Sequence, residues 1–269
     1  MRFSFFSLSL LPLLLAGCTA TSMAPPPAPA LSLHAEVFGD TGRRTAQTLV
    51  VVLNGDGAPS MRADHYAFAR SVAERVPHSV AVALLRPGYG DAEGHRSPGD
   101  RGTDTGDNYT SDRIGAVGDA IAALRRRYPA AHTIVVGESG GAAIAANLAG
   151  IRPGLFDGLV LVGCPCALPE WRRFMKKKAP AAAWEKPVAS LDPLKTAGGI
   201  NPSLHAAIIV GADDAVTPIR FSRGYAEALT LRGIATDYRI LPARGHQILN
   251  DPDVLSATTD MAAGLNGKS

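Results

Sequence analysis

Residues 133–149 read TIVVGESGGAAIAANLA, and the fold of the chain turns on how this stretch is parsed. Thr133 to Gly137 is a short, largely β-branched run that reads as a buried strand; Gly141 to Ala149 is alanine-rich and helix-forming, with Gly150 behind it. Between them stands Gly137-Glu138-Ser139-Gly140-Gly141, a G-x-S-x-G match. Five residues alone are weak evidence; a strand before them and a helix after them make the match specific. A direct strand-to-helix turn forces the serine into a tight conformation with its hydroxyl exposed, and the flanking glycines let strand and helix approach closely. Ser139 is the candidate nucleophile.

The same alternation continues outward. Leu49–Asn54, Val80–Leu85, Leu159–Gly163, Ala206–Gly211 and Asp237–Leu241 are mostly continuous apolar runs, as parallel strands covered on both faces should be. Ser111 to Tyr128 carries Ile114, Val117, Ile121, Leu124 and Tyr128 on one helical stripe. Arg125, Arg126 and Arg127 suit that helix's negative end, and Pro129 stops it. A second helix is expected over Pro218 to Arg232, ended by Gly233. The fold class is therefore α/β, a mostly parallel sheet with helices on both faces. The stretch 164–199 breaks the rhythm with Trp171, Trp184, several prolines and Lys176-Lys177-Lys178. It reads either as a small lid over the site or as a surface helix with a solvated charge run.

A chain of 269 residues can bury a large core without disulfides, and 46% hydrophobic with 19% charged residues is a globular balance. The net charge of +3 is small and gives no reason to expect a nucleic-acid partner, which would normally show as a strong basic stripe. Met1-Arg2, the apolar run Phe3 to Leu15 and Ala16-Gly17-Cys18 make an export signal too short to span a membrane comfortably. Leu15-Ala16-Gly17-Cys18 resembles the lipobox of bacterial lipoproteins. That resemblance implies a signal peptide over 1–17, lipid on Cys18 and, with Thr19 following, an outer-membrane protein facing the periplasm. Residues 18–30, with Pro25, Pro26, Pro27 and Pro29, form an extended tether, leaving 31–269 as the folded domain.

A serine hydroxyl needs a base to take its proton at neutral pH. Here the chain resembles the α/β-hydrolase superfamily, over roughly Val50 to Leu249. The residues that carry the resemblance are the Gly137–Gly141 motif, the Gly211-Ala212-Asp213-Asp214 loop leading to Pro218, the Arg244-Gly245-His246 loop, and Arg86-Pro87-Gly88-Tyr89-Gly90. The superfamily orders its site Ser, then Asp or Glu, then His. Only His205 and His246 follow Ser139; His205 opens a strand and so sits at the wrong end of the sheet, which leaves His246 as the base. The superfamily's spacing from glycine to acid and from acid to proline selects Asp214, with neighbouring Asp213 as the alternative. The resemblance also implies an oxyanion hole from the backbone N–H groups of Gly140 and Asp56, the latter in Asn54-Gly55-Asp56-Gly57 where the superfamily more often has His-Gly. The Asp56 side chain is expected to point away from the developing charge.

These residues together imply a serine hydrolase acting on a small acyl substrate, a carboxylic ester first and a peptide second, with a non-catalytic binding lipoprotein as the contrasting reading. No cofactor or metal is implied. Cys164 and Cys166 read equally well as buried thiols or as a disulfide across two residues; with no suitable histidines beside them they make a poor zinc site.

Overall fold

The computed structural model describes Met1 and residues 32–39, 42, 44–102, 106, 108–180, 184 and 186–267. The apolar leader run, Cys18 and the proline-rich tether lie outside the described residues. Among the described residues no helix is long and apolar enough to cross a membrane.

The six strands expected from sequence are present, with ends shifted by one or two residues. They are β2 (Thr48–Leu53), β3 (Ser79–Leu84), β4 (His132–Glu138), β5 (Gly158–Val162), β6 (His205–Gly211) and β7 (Ala235–Leu241). A seventh, β1 (Ala35–Gly39), pairs antiparallel with β3, and the order across the sheet is β1-β3-β2-β4-β5-β6-β7. All other pairings are parallel. β1 escapes a reading based on apolar runs because its side chains are half-buried or exposed, as befits an edge strand.

Every residue of β2, β3 and β5 is buried. The pleat sends alternate side chains into two separate cores. Leu49, Val51 and Leu53 join Val135, Leu159, Leu161 and Ile208 on one face; Val50 and Val52 join Ile134, Val136, Val160 and Ile209 on the other. The first face is covered by α2 (Ser111–Arg127), α3 (Gly140–Ile151) and α6 (Ile219–Leu231), through residues such as Ile114, Ile121, Ile144, Phe221 and Leu229. The second is covered by α1 (His65–Arg75) and α7 (Pro252–Asn266), through Phe68, Val72, Val254 and Leu265. Both helices open on an aspartate cap, Asp64 for α1 and Asp251 for α7.

The segment between β5 and β6 holds α4 (Leu168–Lys178), the short α5 (Pro193–Thr196) and a following 3-10 turn. Cys164 and Cys166, both buried, are joined by a disulfide at the head of this segment. Trp171 is buried and donates its indole N–H to the Val216 carbonyl at 2.8 Å, so α4 is anchored to the loop after β6. Leu191 donates its N–H to the Tyr109 carbonyl at 2.8 Å, and Ser190 Oγ accepts the Tyr109 N–H at 3.0 Å.

Candidate active site

The chain leaves β2 to one side for β3 and crosses to the other for β4, so the strand order reverses between β2 and β4. A crevice outside the carboxyl ends of the strands is where such a sheet binds ligands. Asp56 follows β2, Ser139 follows β4, Asp214 follows β6 and His246 follows β7, all at this edge. His205 is the first residue of β6, at the opposite edge.

Ser139 sits between β4 and α3 with φ 51° and ψ −115°, a left-handed conformation that a non-glycine residue adopts only when its surroundings enforce it. Its N–H donates to the Val162 carbonyl at 2.8 Å. The strand passes so close to the helix that a Cβ on Gly137 would come within 2.5 Å of the Gly141 carbonyl oxygen. Glycine at position 137 is what permits the turn.

His246 Nε2 is 3.0 Å from Ser139 Oγ, and its Nδ1 is 2.9 Å from Asp214 Oδ2. Asp214 is 4% exposed. Its Oδ1 accepts the backbone N–H groups of Val216 (2.8 Å) and Thr217 (2.7 Å), while Oδ2 also accepts the Thr217 hydroxyl at 2.7 Å. Burial pushes this carboxyl up, but the hydrogen bond and charge of His246 and the Thr217 contacts outweigh it and hold it below the ordinary range. The carboxylate therefore stays ionised beside the imidazole. Asp213 is exposed, and its N–H donates to the Arg244 carbonyl at 2.9 Å.

Three groups around these residues carry no signal in the sequence. Thr217 has its hydroxyl 3.2 Å from His246 Nδ1 and so braces the histidine–aspartate contact. Gly163 has φ 55°, and a Cβ there would stand 3.1 Å from His246 Cε1; it clears space for the ring. Glu138 is 2% exposed, and its Oε2 has no hydrogen-bond partner among the described residues. Burial pushes the Glu138 carboxyl up, against the pull of His246, Arg62 and Arg86.

The expected donors Asp56 and Gly140 are brought together, but the Asp56 side chain does not point away. It folds inward so closely that any side chain on Gly140 would collide with its carboxylate. The reason is a buried clamp: Arg86 Nη2 donates to Asp56 Oδ1 at 2.5 Å, Tyr89 Oη to the same oxygen at 2.7 Å, and Tyr109 Oη to Oδ2 at 2.6 Å. Burial alone would raise this carboxyl; the Arg86 charge and the three donors overcome it and lower it. Arg86 also donates to the Gly55 carbonyl at 3.0 Å, and its N–H donates to Asn54 Oδ1 at 3.0 Å. The Arg86–Gly90 turn thus holds the Asn54–Gly57 loop in place, with the Asp56 charge neutralised inside the protein. Gly140 opens α3, where main-chain N–H groups lack partners within the helix and the dipole favours negative charge.

The family described as “Serine aminopeptidase, S33” matches residues 44–205. Among solved structures, the esterase PE8 superposes with a TM-score of 0.60 at 20% identity, over 87% of this chain and 98% of its own. The esterase Pf2001 of Pyrococcus furiosus gives 0.58 at 15% identity, over 81% and 83%. The monoacylglycerol lipase of Paleococcus ferrophilus gives 0.55 at 17%, over 88% and 99%. At such identities these likenesses show the fold. No curated protein matches the chain significantly.

Proposed function

The chain belongs to the serine aminopeptidase S33 family of α/β hydrolases, and from that premise we propose that it cleaves carboxylic esters through a Ser139–His246–Asp214 triad. One observation carries the reading: the unbroken line of contacts from Ser139 Oγ through both ring nitrogens of His246 to the buried Asp214 carboxylate. His246 Nε2 accepts the Ser139 proton as Oγ attacks the acyl carbon, and the Asp214 charge stabilises the imidazolium that forms. The tetrahedral oxyanion takes hydrogen bonds from the backbone N–H groups of Gly140 and Asp56, each worth a factor of about 10²–10³ in turnover. The imidazolium then protonates the departing alkoxide, leaving an acyl-Ser139. Water, deprotonated by the same ring, attacks the acyl carbon and releases the acid.

An ester suits the site better than a peptide amine terminus. Of the carboxylates described beside Ser139 and Gly140, that of Asp56 is clamped to Arg86 and that of Glu138 is buried, so neither is free to hold the ammonium group of an aminopeptidase substrate. The segment 164–199 serves as a lid, supported by the Trp171 anchor on the loop that carries Asp214. The leader motif supports an exported protein, cleaved before Cys18, lipidated there and held at the outer membrane facing the periplasm. With acyl chains contributing about 0.8 kcal/mol per buried methylene, several of them make attachment essentially permanent.

A fluorophosphonate probe should label the folded protein at Ser139 and leave Ser139→Ala unlabelled; absence of labelling would remove both hydrolase chemistries and leave a binding lipoprotein. Turnover of p-nitrophenyl esters against aminoacyl amides then decides the substrate class, and faster cleavage of the amides overturns the ester assignment. Cys18→Ser should abolish incorporation of labelled fatty acid.

A further inference from the structure

We propose that His34, Glu36, Asp91 and His95 form a binding site for a divalent transition metal, with Zn²⁺ the ion their chemistry fits best. The antiparallel pairing of β1 on β3 builds it. His34 immediately precedes β1, Glu36 lies on β1, and Asp91 and His95 lie in the loop after β3. The His34 carbonyl accepts the Leu85 N–H at 3.0 Å, and its N–H donates to Ser97 Oγ at 2.9 Å, pinning it to the start and the middle of that loop. The loop closes on itself: Asp91 N–H donates to the His95 carbonyl at 3.0 Å, and His95 N–H to Asp91 Oδ1 at 2.8 Å. Residues remote in sequence are thereby held on a rigid frame.

One donor atom from each of the four side chains lies within 4.8 Å of all the others. The two imidazoles stack with centroids 4.4 Å apart and an 11° angle between planes. Asp91 Oδ2 is 3.0 Å from His95 Nδ1 and 3.8 Å from His34 Nε2. It also accepts the Tyr66 hydroxyl at 2.8 Å, the kind of outer contact that orients a metal-binding carboxylate. His34 Nε2 is buried and makes no hydrogen bond among the described residues. A buried ring nitrogen left so is uncommon, and a metal would supply its partner. Tetrahedral zinc with bonds of about 2.1 Å holds its ligand atoms roughly 3.4 Å apart, so side-chain movements of about an ångström complete the shell.

Two imidazoles disfavour Ca²⁺ and Mg²⁺, which take oxygen donors, and two carboxylates balance a divalent charge. Four protein donors make a closed, structural site. The His95 side chain is 49% exposed, which gives the ion an entry path. β1 lies three strands from β4, about 14 Å at the usual spacing, so this site is separate from Ser139. Its metal would tie the first strand to the loop whose beginning, Arg86 and Tyr89, clamps Asp56.

The test is zinc titration of chelator-stripped full-length protein by calorimetry and thermal melting, with Co²⁺ absorption as a second probe. We expect one saturable Zn²⁺ per chain, a Tm gain of about 5–10 °C at a hundredfold excess over Kd, and the visible spectrum of tetrahedral Co²⁺. His34→Gln/His95→Gln should lose all three, and His246→Ala, which removes the imidazole at the active site, should keep them. No binding by the unmodified protein, binding that survives the double variant, or binding lost in His246→Ala would overturn the proposal. The Co²⁺ spectrum of the unmodified protein tests the donor set without the double variant: octahedral absorption, or the intense charge-transfer bands of thiolate ligands, would also overturn the proposal.

Discussion

Replacing Asp214 by asparagine tests the triad most sharply, because the structure dictates how the amide must sit. Oδ1 accepts two main-chain N–H groups, at 2.8 and 2.7 Å, which cannot turn away. The asparagine carbonyl oxygen must take that position, since an amide NH₂ there would face two donors. Its NH₂ is then forced toward Thr217 Oγ1 and His246 Nδ1, where Oδ2 now stands 2.7 and 2.9 Å away. A donor aimed at Nδ1 makes that nitrogen the acceptor and places the ring proton on Nε2, the atom 3.0 Å from Ser139 Oγ. The imidazole would donate to the nucleophile instead of accepting its proton. In serine proteases the same substitution lowers kcat by about 10⁴, which at 1.36 kcal/mol per decade is about 5.4 kcal/mol of barrier. The assay is p-nitrophenyl ester hydrolysis with kcat and KM resolved, alongside fluorophosphonate labelling and a melting curve. KM should hardly move, and Asp213→Asn should retain activity within about twofold because that side chain is exposed. The assignment of Asp214 fails if Asp214→Asn keeps turnover within about tenfold of the parent while folded, or if Asp213→Asn is equally damaging.

Two further outcomes concern the buried charges. Burial raises the Glu138 carboxyl, so the folded state binds that proton more tightly than the unfolded chain; stability falls as pH rises from about 4.3 toward the folded value and stays lower above it. Glu138→Gln should therefore raise Tm at neutral pH and lose its advantage near about pH 4; a pH-independent difference in melting would contradict this. Arg86→Met strands the Asp56 carboxylate, whose side chain is 6% exposed, and should cost about 3–5 kcal/mol in urea unfolding. The double variant Arg86→Met/Asp56→Asn should recover part of that loss, and a single-variant cost under about 1 kcal/mol would show that the clamp does not hold the loop.

The readable parts of the fold are those with a local physical signature. Strands buried on both faces must be apolar along their whole length, so β2 to β6 stand out; β1, exposed at the sheet edge, carries no such run. α1 and α7 carry no comparable run, and their aspartate caps, Asp64 and Asp251, are recognised only once the helices are in place. The placement of the Asp56 side chain departs from expectation because its partners Arg86, Tyr89 and Tyr109 converge on it from separate segments; a lone carboxylate beside an oxyanion is unfavourable, whereas one bound to a guanidinium and two phenols is neutralised. Thr217 and Gly163 are illegible for the same reason, since their roles exist only relative to His246.

By itself the amino-acid sequence determined the alternation of strand and helix, the strand–Ser139–helix turn, and the order in which serine, aspartate and histidine follow one another. These are local or ordinal properties, and backbone sterics and hydrophobic periodicity suffice to express them. Tertiary structure alone decided the distances: which aspartate reaches His246, how Asp56 is neutralised, and that His34 and Glu36 meet Asp91 and His95. Such contacts join residues from different strands and loops. Their energies depend on burial and on partners that no window of the chain contains.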